Sequence, residues 1–190
     1  VVFADGLQGQ MMETVRLPET ECERPDFSAW AAQGEPKTRA NLVKSIFLDA
    51  AAQEVFNEHL QEKYAQMQAD AEAETYLAED ADLLICAFGI ASRVARTTAE
   101  TCRQLGLKVG CFRPISLNPF PREQLAAAAR GRKILTLELD AGQFADDVRL
   151  QLAKSGLGAE SASVTMIHRM GGQVVSVDEA VKVVQKILGK

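Results

Sequence analysis

The sequence predicts an α/β fold over residues 81–190: an open, mostly parallel sheet with helices on both faces. Three observations predict it. Short unbroken apolar runs recur, of which Leu83–Phe88 is the clearest, and such runs fit strands buried on both faces of a parallel sheet. Helix-period patterns of roughly ten to fifteen residues separate them, which implies right-handed β-α-β crossovers. Glycine and proline punctuate the junctions.

In order, Asp82 and Gly89 bound the first strand of this region, Leu83–Phe88. A helix follows from Ser92, read as its N-cap, to Leu105, and Gly106 stops it. Lys108–Phe112 reads as the next strand, and Pro121 opens a helix to Ala129. Lys133–Glu138 is a strand, Ala145–Lys154 a helix ended by Gly156 and Gly158, and Ser163–Ile167 a strand. Gly171-Gly172 makes a turn. Asp178 caps a last helix, Glu179–Leu188, with Val181, Val184 and Ile187 on one face.

Upstream the pattern is less regular. Val1-Val2-Phe3 reads as a buried strand ending at an Asp5-Gly6 turn, and a strand as first element marks the chain as a fragment. Pro18, Pro25 and Pro36 make residues 18–40 an irregular linker, because each removes an amide donor and restricts its predecessor. Asp49 is an N-cap. From Ala50 to Tyr76 the positions Phe56, Leu60, Tyr64, Met67 and Ala71 form one helical stripe. Nine acids against the single base Lys63 between Glu54 and Asp82 read as a solvated face rather than a docking surface, with His59 exposed on it.

The chain has 190 residues, formal net charge −5, and 47% hydrophobic and 25% charged residues, an ordinary balance for a globular protein. The acidic balance, with no basic stripe, argues against nucleic acid as a partner. No apolar run is long enough to span a membrane, and since the cysteines imply no disulfide use a reducing cytoplasm is the expected location. Cys22, Cys86, Cys102 and Cys111 form no Cys-x-x-Cys pair, so no metal or cluster site is expected.

Ligands of open parallel sheets bind beyond the strand C-termini. Gly89-Ile90-Ala91-Ser92-Arg93 lacks both phosphate-binding glycine patterns and reads as a tight turn. Glu138, Asp140, Asp146 and Asp147 cluster at one strand end, where capping of the next helix is favoured over metal binding or proton transfer. His168-Arg169 is a candidate anion contact. No catalytic constellation emerges.

Motifs go further. Cys111-Phe112-Arg113-Pro114-Ile115-Ser116-Leu117-Asn118-Pro119-Phe120-Pro121 resembles the Arg-Pro-Ile-Thr-Leu-x-Pro-Phe-Pro segment of 2-oxoacid:ferredoxin oxidoreductases. Ala87-Phe88-Gly89 with Arg93, Glu138-Leu139-Asp140-Ala141-Gly142-Gln143-Phe144, Asp147-Val148-Arg149 and Arg169-Met170-Gly171-Gly172 resemble further segments of that family, in order. Trp30, Gly34, Arg39, Asn41 and the run Asn57–Tyr64 resemble the 2-oxoisovalerate (3-methyl-2-oxobutanoate) type. Asn118, Asp140 and Phe144 depart from the usual residues, which bears on substrate class.

The resemblance implies a fold like the C-terminal domain of transketolase. It divides the chain into a remnant of a pyrimidine-binding domain (1–20), a linker with one long acidic helix (21–80) and the α/β domain (81–190). It implies oxidative decarboxylation of a 2-oxoacid to an acyl-CoA by a complex using thiamine diphosphate, Mg2+, iron–sulfur clusters and coenzyme A, with electrons leaving to ferredoxin. It assigns no catalytic, cofactor or metal residue here: the cofactors belong to a missing domain and to other subunits. The fragment is then inactive alone and serves structure and assembly with those subunits. Arg113, Pro114, Pro119, Phe120, Pro121, Glu138, Gln143 and Arg169 are its motif or interface residues, and the loop stiffened by three prolines either presents an exposed Phe120 to a subunit interface or is a rigid crossover packing only against its own helix. The alternatives are a transketolase- or pyruvate-dehydrogenase-type subunit domain and a non-enzymatic assembly module.

Overall fold

The structure is a computed structural model that describes every residue except Phe3, Cys22 and Lys190. It divides into two units: Val1–Met11 with Tyr64–Lys190, and Met12–Lys63.

The larger unit is built on one five-stranded sheet. Its strands are β1 (Ala73–Tyr76), β2 (Leu83–Cys86), β3 (Val109–Pro114), β4 (Lys133–Glu138) and β5 (Thr165–His168). They lie in the order β1-β3-β2-β4-β5, all parallel except β1, which runs antiparallel to β3. Helices α2 (Gly89–Gln104) and α6 (Val177–Leu188) cover one face, packing Ala95, Ala99 and Val184 on Leu83, Ile85 and Val109. Helices α3 (Arg122–Ala129) and α4 (Gln143–Lys154) cover the other, packing Leu125, Val148 and Leu152 on Leu84, Phe112 and Ile134. The continuous apolar runs thus have the expected cause, since successive side chains point to opposite faces and both faces are covered. A short α5 (Gly158–Ala162) bridges α4 to β5 and was not foreseen.

Gly110 is needed for packing. A Cβ there would lie 2.5 Å from the carbonyl oxygen of Leu77 and 2.7 Å from the Cα of Ala78. The chain leaving β1 crosses β3 at that point, and only glycine admits backbone so close.

The smaller unit contains a 3-10 turn, Pro36–Asn41, and most of α1 (Ala50–Met67). The Oδ1 of Asp49 accepts from the amide of Ala51, the capping contact expected there. Thr38 is this unit's only buried residue among those described, and its hydroxyl oxygen accepts from the amide of Gln33.

Four expectations are corrected. The helix starting at Ala50 ends at Met67 rather than Tyr76, because residues 73–76 pair with β3 as an edge strand. Val1 and Val2 form no strand, being exposed and without a ladder partner, and Phe3 lies outside the described residues. Ser92 lies inside the first turn of α2 and donates to the carbonyl of Gly89, so it is not the cap. The last helix is capped by Ser176, whose hydroxyl oxygen accepts from the amide of Glu179, because Val177 and Asp178 are already helical.

Candidate functional site

The strand C-termini form a rim carrying the loops β2–α2, β3–α3 and β4–α4 and the end of β5. The chain passes from one side of β2 to the other between β3 and β4, so β2 and β4 flank the reversal of strand order. In open α/β sheets the crevice at such a reversal is the usual ligand position.

Asp5 occupies the N-terminus of α2. Its Oδ2 accepts from the amide of Ile90 at 3.0 Å, and its Oδ1 accepts from the amide of Gln8 at 2.7 Å. Gly89, with φ +56°, brings the chain close to this carboxylate. A carboxylate suits a helix N-terminus, where unpaired amides and the helix dipole favour negative charge. Sequence reading saw only the turn at Asp5-Gly6. An acid beside a turn carries no signal of which distant helix it caps.

Across the reversal, Glu138 is 1% exposed at the end of β4. Its Oε2 accepts from the amides of Phe144 and Ala145 at 3.0 and 3.2 Å, and its Oε1 accepts from the hydroxyl of Thr136 at 3.0 Å. Asp140 accepts from the amides of Gly142 and Gln143 at 2.9 and 2.8 Å. Two carboxyl groups therefore cap α4 together. Burial, then the hydrogen bond to Asp140, pushes the Glu138 carboxyl up to about 7. Burial opposes but does not prevent a lowered Asp140, held down by its bonds to Glu138 and to the amides of the turn. Asp146 and Asp147 stay exposed, and Asp146 pairs with Arg149. Gln143 begins α4 and is exposed.

The β3–α3 loop holds the proline motif, with a cis peptide between Asn118 and Pro119. Arg113 lies on β3, half-exposed, paired with Glu74 of β1 at 3.0 Å. Pro114 and Pro121 are buried, and Pro119 is half-buried. Phe120 is corrected: it is 7% exposed and belongs to the core on the α3 and α4 face. Its carbonyl accepts from the amide side chain of Gln68 at 2.8 Å. The loop turns its aromatic inward because α3 starts directly after it and needs an anchor on the sheet. Ile115 and Leu117 are exposed instead. Arg169 follows β5 and pairs with Glu179 of α6, while His168 ends β5 half-buried. Gly171 and Gly172, with φ +68° and +85°, make the expected turn. The rim residues named from motifs are thus spread over three loops and are not drawn into one constellation.

A model of one family, pyruvate:ferredoxin oxidoreductase core domain II, matches residues 81–180, which contain the whole rim except Asp5. The chain belongs to this family.

Its similarity to whole subunits extends beyond that domain. It is 38% identical over 193 residues to the ketoisovalerate oxidoreductase subunit VorB of Methanothermobacter marburgensis, covering 100% of this chain and 53% of that protein. It is 39% identical over 192 residues to the subunit of the same name from Methanothermobacter thermautotrophicus, covering 100% of this chain and 52% of that protein. The chain therefore spans about half the length of the curated relatives it matches. A 2-oxoglutarate:ferredoxin oxidoreductase from Magnetococcus marinus, solved with 2-oxoglutarate, coenzyme A and succinyl-CoA bound, shares the fold with a TM-score of 0.59. That match is 22% identical and covers 74% of this chain and 24% of that one.

Among the described residues no group of three His, Cys, Asp or Glu side chains is placed to hold a metal ion. Cys86, Cys102 and Cys111 are buried, and burial raises all three thiols, Cys111 to about 12. No described helix is long and apolar enough to cross a membrane.

Proposed function

We propose that the chain is the core-domain-II portion of a subunit of a 2-oxoacid:ferredoxin oxidoreductase of the ketoisovalerate type, and that its work there is structural and assembling. The complex would convert a 2-oxoacid to an acyl-CoA using thiamine diphosphate, Mg2+, iron–sulfur clusters and coenzyme A. It would pass electrons to ferredoxin. Those cofactors would be held outside the described residues.

One observation carries the assembly role. Residues 12–63 bury only Thr38 among those described, yet expose Trp30 at 64%, Val43 at 87% and Leu48 at 101%. Phe27 packs edge-on against Trp30 at 5.2 Å and Phe47 against Phe56 at 5.0 Å, so the segment holds aromatic pairs without a core around them. Exposed apolar side chains in such number mark a surface made to be covered. Matching to the VorB relatives runs through this segment as well as the sheet. The earlier candidate for contact, Phe120, is replaced by Trp30 and its neighbours.

The test is reconstitution with the partner subunits. Trp30→Ser with Leu48→Ser should lower co-purification on a tagged partner at least tenfold, while the circular dichroism of the chain is retained. Unchanged association would remove the assembly role. Ferredoxin reduction with 3-methyl-2-oxobutanoate should require all subunits. Turnover by the chain alone would overturn the division of labour.

A further inference from the structure

The smaller unit carries charge as well as exposed apolar area. Residues 12–63 hold ten acids and six bases, so they supply −4 of the chain's net −5. The larger unit is therefore close to neutral. The segment that exposes Trp30, Val43 and Leu48 is also the acidic one.

Helix α1 orders three of those acids. Glu54, Glu58 and Glu62 follow one another at intervals of four, are all exposed, and share one stripe of the helix. Phe56 and Leu60 occupy the opposite side and are half-buried, with Phe56 held against Phe47. The glutamates thus face away from the segment's own contacts. Among the described residues their carboxylates make no ion pair or hydrogen bond. Like charges four residues apart repel and weaken a helix, and the residues four beyond them are Glu58, Glu62 and Gln66, none of them basic. The stripe therefore does nothing for the helix that carries it. Val55, 66% exposed, stands one turn before Glu58 and adds an apolar side chain beside it. The sequence alone favours a solvated face for these acids. Their exposed apolar neighbours and the lack of any partner for them favour a covered one.

We infer that the smaller unit docks on a partner subunit whose facing surface is basic around an apolar centre, with Lys or Arg side chains set against Glu54, Glu58 and Glu62. This rests on the assembly role proposed above and adds the chemistry of the partner. The apolar side chains supply the area removed from water, while the carboxylates steer the approach and fix the register. A second copy of this chain does not suit the surface, because an isologous contact would bring the acidic stripe against itself. Nucleic acid and anionic membrane are repelled in the same way.

The test is the rate at which the chain associates with the immobilised remaining subunits of the oxidoreductase, at low salt and at about 0.5 M salt, where exposed charges are screened. The triple variant Glu54→Gln, Glu58→Gln, Glu62→Gln should slow association about tenfold at low salt and less than about twofold at high salt. It relieves the repulsion along α1, so circular dichroism should show no loss of helix, and misfolding would not explain the slowing. The triple variant Glu72→Gln, Glu79→Gln, Glu123→Gln removes the same charge from exposed positions of the larger unit and should slow association less than about twofold. Equal slowing by the two triple variants overturns the basic partner, and so does a parent rate indifferent to salt. Should Trp30→Ser with Leu48→Ser still lower association in either case, the assembly role stands and only the partner's chemistry falls. Should no variant change association, both fall. Dimerisation of the chain alone, abolished by Trp30→Ser with Leu48→Ser, would overturn the choice of partner in favour of a second copy.

Discussion

Replacing Glu138 separates two effects that the buried carboxyl group combines. Glu138→Ala removes the acceptor for the amides of Phe144 and Ala145, leaving two buried donors unpaired. At about 1–3 kcal/mol for each, the loss is about 3 kcal/mol, with a cavity added. Glu138→Gln keeps the shape: its carbonyl oxygen serves both amides, and Thr136 rotates to accept from the new amide. The difference then lies in charge. Relative to its ordinary 4.5, the Glu138 carboxyl stands at about 7 in the fold. Between those values the folded chain keeps a proton that the unfolded chain has lost. The stability this carboxyl contributes is complete below about 4.5 and is lost as pH rises through 7, up to about 3 kcal/mol at 1.4 kcal/mol per unit. Asp140 acts in the opposite sense, its contribution being present above its unfolded value and lost on acidification. Urea unfolding of the parent and both variants at pH 5 and pH 8 reads the result. Glu138→Gln should match the parent closely at pH 5 and exceed it at pH 8, where the parent's buried carboxyl is ionised, and Glu138→Ala should be the weakest at both. A parent-to-Gln difference independent of pH, or an Ala variant as stable as Gln, would refute the reasoning.

Gly110→Ala should lower stability by about 3 kcal/mol, since its Cβ would meet backbone at 2.5 Å, and thermal unfolding would show a broad loss rather than a local one. Phe120→Ala should cost about 3–4 kcal/mol in urea unfolding, because its ring is core, with subunit association unchanged once refolding is complete. Asp5→Ala should cost about 1 kcal/mol and speed amide hydrogen exchange at Ile90, the donor it leaves uncapped.

The sheet was legible where burial on both faces forces an unbroken apolar run. Lys133–Glu138 was read with the boundaries the structure shows. β1 was not legible. Ala73-Glu74-Thr75-Tyr76 is half-exposed, so its residues carry no run, and the helical stripe upstream reached Ala71 by period alone. Phe120 was misplaced for a related reason: a proline-rich loop shows that it is stiff but not which way its aromatic turns. Capping at Glu138 was legible in kind, because acids favour helix starts, but its near-complete burial depends on α4 folding back over β4. The Glu74–Arg113 pair had no signature either, since its members meet only through the register of an edge strand.

That edge strand also sets how the domain bears load. β1 enters at the rim, with Ala73 beside Pro114, and runs to Tyr76 beside Cys111. A tether pulling on residue 72 away from the rim acts along the strand, while the hydrogen bonds of an antiparallel ladder lie across it. The bonds are then strained in shear and resist together rather than opening one at a time. Detachment of the tether is thus an all-or-none mechanical event, centred on four residue pairs.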